Sequence, residues 1–155
     1  MDYGIEAIYA EMMEIASHLT YGAESADMFT WIENTPESVF QEFPRVKKVK
    51  EIAPQSYVVI IPRSQEFTDA AVKLTKKDVH FVQIAGNDEI MLTVVTPKSW
   101  NFDLPAEESS LLFTENFLTQ SEVKRIAFEC PVRSLHFVLN HLASRGVKIE
   151  HIYDY

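Results

Sequence analysis

Apolar positions change their spacing several times along the chain. Between residues 4 and 20, Ile5, Ile8, Tyr9, Met12, Ile15, Ala16 and Leu19 recur every three or four positions, with Glu6, Glu11 and Glu14 between them. That spacing predicts an amphipathic helix occupying residues 1–22, ended near Gly22. Residues 23–55 are less regular. Phe29, Trp31 and Ile32 precede Asn34-Thr35-Pro36, a turn or helix start, and Glu37 to Phe43 fits a short helix ended by Pro44. Val46, Val49 and Ile52 stand among lysines and fit a strand or a helical turn equally well.

The pattern sharpens from residue 56. Tyr57-Val58-Val59-Ile60-Ile61 is compact and β-branched, which predicts a central strand stopped by Pro62-Arg63-Ser64. Ser64 is a suitable N-cap, and Phe67, Ala70, Ala71 and Leu74 mark one face of a helix ending at Lys76 and Lys77. Val79 to Ala85 is the next expected strand. Gly86 to Glu89 is expected to turn it into a returning strand, Ile90 to Thr96, as a hairpin. After a loop with Pro97, Trp100, Phe102 and Pro105, Leu111 to Leu118 fits a strand. Val123 to Cys130 predicts another, with Ile126, Phe128 and Cys130 on one face. Leu135, Val138, Leu139 and Leu142 mark a helix capped by Gly146, and Val147 to Tyr153 is the last expected strand.

Residues 58–84 and 126–152 align at an offset of 68 without a gap, as Phe67 with Leu135, Leu74 with Leu142, Asp78 with Gly146 and Val79 with Val147. Each copy reads strand–helix–strand. Two such βαβ units side by side predict an α+β, ferredoxin-like sheet with both helices on one face and the N-terminal amphipathic helix added. The expected organisation is one domain over residues 1–155. Its first unit with the hairpin strand spans 56–96 and its second unit 123–154.

One segment carries a family likeness. Arg125-Ile126-Ala127-Phe128-Glu129-Cys130-Pro131, the helix face of Leu135, Val138, Leu139 and Leu142, and Arg145 to Tyr153 resemble the first half of an ACT domain. Val132-Arg133 stands where that family usually has a proline–glycine pair. The resemblance implies a non-catalytic regulatory module that binds a small metabolite, often an amino acid, at a homodimer interface.

Charge narrows the partners. The chain has 14 Lys and Arg against 23 Asp and Glu, a net charge of −9. Its densest basic stretch is Arg45, Lys47, Lys48 and Lys50, which fits a solvated strand edge better than a nucleic-acid surface. No stretch is apolar for long enough to span a bilayer, and the start has no secretory pattern, so a cytoplasmic location is expected. With one cysteine, Cys130, neither an intrachain disulfide nor a multi-cysteine zinc site can form.

Candidate chemistry is sparse. Arg63-Ser64 and Arg133-Ser134 each lie where a strand runs into a helix. Free amides and a guanidinium there suit a carboxylate or phosphate, so these four are the expected ligand-binding residues. A helix cap with a surface charge explains them as well. His18, His80, His136, His141 and His151 form no metal-ligand spacing, and Cys130 reads as a buried thiol. Phosphate loops and nucleophile motifs are absent, so neither catalytic residues nor cofactors are expected. Three functions remain: a module sensing a small anionic metabolite, a protein-interaction module using the N-terminal helix and residues 98–118, and a small enzyme.

Overall fold

The computed structural model describes residues 27–105 and 107–153. The helix expected over residues 1–22 lies outside them. The described chain runs β1 (Asp27–Glu33), α1 (Val39–Glu42), β2 (Lys47–Ala53), β3 (Ser56–Pro62), α2 (Gln65–Lys76) and β4 (His80–Ile84). It continues β5 (Glu89–Pro97), β6 (Ser110–Asn116), β7 (Val123–Pro131), a 3-10 turn (Val132–Ser134), α3 (Leu135–Ser144) and β8 (Lys148–Ile152).

The strands form two four-stranded sheets, in the orders β2-β3-β1-β4 and β6-β7-β5-β8. Every pairing is antiparallel. This corrects the ferredoxin-like expectation. The two strand–helix–strand pieces do not share a sheet, and the described residues are mostly strand with three short helices. β3 and β4 both run antiparallel to β1, which lies between them, and β7 and β8 flank β5 in the same way. The expected hairpin is also absent. β4 and β5 belong to different sheets and are linked by one isolated bridge, Ile84 to Asn87.

The repeat is real but larger than the matched pieces. Each copy comprises three strands, a helix and a last strand, joined in the same order. Irregularities recur in place. A bulge at Trp31/Ile32 against β4 corresponds to one at Thr93/Val94 against β8. Another at Lys48/Lys50 corresponds to one at Leu111/Phe113. Both long helices end in the left-handed conformation, Asp78 at φ 64° and Gly146 at φ 71°. The following amide reaches back over the last turn in both, Val79 N to Leu74 O at 3.1 Å and Val147 N to Leu142 O at 2.9 Å.

The two units share one core. A continuous apolar cluster runs from Met28, Ile32, Val59 and Phe81 through Phe67 and Leu74 to Leu92, Phe128, Leu139 and Ile152. α2 packs on β8 and on α3, and α3 packs on β4. Each helix therefore covers part of the other unit. A separate cluster of Trp31, Val58 and Val82 buries the opposite face of the first sheet. No described helix is long and apolar enough to cross a membrane.

Candidate functional site: a free strand edge

Four strands end these sheets, and they are treated differently. An edge strand exposes a row of amides and carbonyls that can pair with another chain, so proteins cover or charge such edges. β4 is covered by the 3-10 turn packed along it and by the His136 ring stacked on His80. β8 is covered by α2: the buried Ile152 N–H donates to Thr68 Oγ1 at 3.0 Å. β2 carries Lys47, Lys48, Lys50 and Glu51, all exposed, and two bulges. Lys48 pairs with Glu37 and lies near the rings of Phe40 and Tyr57.

Among the described residues, β6 has neither cover nor a run of charges. All seven of its residues are exposed. Leu111, Leu112 and Phe113 are 51%, 44% and 49% exposed, and Leu118 just beyond is fully exposed. The loop before β6 is anchored, with Leu104 in the core and the Phe102 ring 5.3 Å from that of Phe128. Trp100 and Phe102, in the segment 98–118 expected to meet a partner, are partly buried and pack against the core.

A concave face adjoins this edge. Arg125 on β7 donates through Nε and Nη2 to the two carboxylate oxygens of Glu150 on β8, both at 2.7 Å. Its Nη1 donates to Glu115 on β6 at 2.6 Å. The guanidinium stands 4.8 Å from the centre of the Phe117 ring. One side chain thus ties three strands together in forked, charge-assisted bonds. The Arg125 guanidinium holds the Glu150 carboxyl below its usual range, against the opposing effect of burial, while Arg125 is raised chiefly by Glu150. Around them Met91, Phe113, His151 and Tyr153 help enclose an open hollow of about 440 Å³. Arg125 and Glu150 were not legible as a pair, since β5, which enters from far off in the sequence, separates their strands in the sheet. The one available signal was that Arg125 faces opposite Ile126, Phe128 and Cys130.

The structure keeps the expected ligand residues at their two junctions, one in each unit. Ser64 sits at φ 67° before α2, and its side chain makes no capping bond. Ser134 is helical and likewise caps nothing, because the 3-10 turn runs straight into α3 and the Leu135 amide already bonds to Val132 O. Arg133 lies with its guanidinium 6.0 Å from the Trp31 ring and 4.0 Å from a Glu33 carboxylate oxygen. Arg63 is half-buried at the end of β3.

The other titratable groups are structural in placement. His80 and His136 stack with ring centres 3.9 Å apart, joining β4 to α3. His141 Nε2 lies 3.1 Å from Asp103, which also meets Arg145 at 3.1 Å. His151 packs edge-on to Tyr153 at 4.5 Å. His18 lies outside the described residues. Cys130 is buried, and burial pushes its thiol up to about 12, a poor nucleophile. No group of three or more His, Cys, Asp or Glu among the described residues could hold a metal ion. The chain matches no family model, no curated protein and no solved structure in the comparisons made.

Proposed function

We propose that this protein is an interaction module that receives an extended segment of another polypeptide along β6. The observation that carries the reading is the seven-residue edge strand, exposed throughout, with Leu111-Leu112-Phe113 in its middle. In strand addition the backbone ladder supplies affinity and pockets for alternate side chains supply specificity. The hollow beside Phe113 and Arg125 is placed to take side chains from such a strand. Binding of a small anion at Arg63-Ser64 or Arg133-Ser134 has less support: the two pairs sit at separate junctions, neither serine caps its helix, and Arg133 lies beside Trp31 and Glu33.

Selection of displayed random peptides on the immobilised protein tests the reading. The same selection is run on a Leu112→Lys, Phe113→Lys double variant. Apolar peptides of strand-forming composition are expected on the first and lost on the second, with both proteins melting alike because the substituted side chains are half-exposed. Equal enrichment on both proteins, or none on either, counts against strand addition at β6.

A further inference from the structure

We infer that the segment received by β6 is β6 of a second copy of this chain, the two strands running antiparallel about a twofold axis at Phe113. The inference rests on the strand-addition reading and names the partner for it. A twofold interface sets the same patch against itself, so the patch must be self-complementary. Any unpaired charge on it near the axis would meet its own copy. Of the seven β6 residues only Glu115 is charged, and Arg125 Nη1 of the same chain already holds it at 2.6 Å.

The middle residue of β6 is Phe113, so an axis there sets Phe113 against Phe113, Leu112 against Thr114 and Leu111 against Glu115. The central Phe113–Phe113 contact is a favourable aromatic cross-strand pair. The two Glu115 positions then stand four residues apart along the strands, roughly 13 Å, beyond the reach of strong repulsion at physiological salt. The equivalent strand fails the same test. β2 has Lys50 in its middle, so a twofold there sets lysine against lysine, with Lys47 and Lys48 nearby. The join at β6 would make one continuous sheet of eight strands from the two four-stranded halves.

Long-range charge opposes this dimer, because each copy carries −9. Screening should therefore tighten it, the reverse of what a basic partner peptide would show. Sedimentation of the full chain across the micromolar range, at low and high salt, reads this. The expected result is a monomer–dimer equilibrium that strengthens with salt. Phe113→Lys should weaken it by about tenfold or more, and Phe113→Tyr should keep it. A dimer that ignores Phe113→Lys, or one that loosens with salt, overturns the inference. A chain that stays monomeric while displayed peptides still bind at β6 overturns the second-copy partner and leaves strand addition standing. A monomer that also selects no peptides removes both.

Discussion

β2 and β6 hold the same place in the two halves of this molecule, yet their surfaces are opposite. Both are seven-residue outer strands, and both bulge at the same point of the repeat. β2 presents Lys47, Lys48, Lys50 and Glu51, where β6 presents Leu111, Leu112 and Phe113. Fold alone demands neither set. Lysines on an edge discourage pairing, and an apolar edge invites it. The repeat thus separates what the architecture needs from what one copy has taken on.

The faces beside these strands diverge in the same sense. Trp31 opposes Val58 in the first sheet, and Thr93 opposes Ala127 at the matching place in the second. Val82 corresponds at the offset of 68 to Glu150. Large apolar side chains close the first face as a cluster, whereas small and charged ones leave the second hollow. The two long helices instead play the same role, each holding the last strand of the other unit. The helix position occupied by Thr68 reaches Ile152 of the other unit, and its counterpart at the offset of 68, His136, stacks on His80.

If the halves differ only in their outer strands and faces, their core should behave as one body. Phe128 is fully buried in the cluster that spans both sheets. Phe128→Ala should cost about 3–5 kcal/mol. A single urea transition followed by probes in both sheets checks it, and two separated transitions would make the halves independent. A covered edge should be costlier to damage than a free one. Thr68→Val orphans the buried Ile152 N–H and should cost about 1–3 kcal/mol. Leu112→Lys on the free edge should stay within about 0.5 kcal/mol in the same denaturation assay. The smallest effect is the response to acid. Burial and the neighbouring His80 hold His136 below its usual 6.5, so the unfolded chain takes up that proton first as pH falls. This contribution is full above 6.5 and is lost as pH drops below it toward the folded value. His136→Gln should flatten that part of a melting-temperature profile taken between about pH 8 and 5.

The sequence revealed elements better than their pairing. Dense β-branched stretches and the Leu74–Val79 and Leu142–Val147 helix ends marked the elements after residue 56 with small errors at their ends. β1 lacks alternation because Met28 and Ile32 face one core while Trp31 faces another. The partly buried positions of β2 are Val49 and Ile52, a helical spacing produced by its bulges. The ungapped match hid a shift, since Val58 corresponds to Ala127 in the strands, an offset of 69, while the helices keep 68. Above all, β1 and β5 enter between strands far from them in sequence, and no local pattern announces such an insertion. Leu111 to Leu118 was legible as a strand, but its exposure follows from its place outside β7.

Amide hydrogen exchange, compared strand by strand in dilute and concentrated solution, tests the asymmetry of the two edges most directly. The account predicts that β6 amides gain protection as concentration rises while β2 amides do not. Equal behaviour of the two strands, or protection gained at β2 alone, would contradict it.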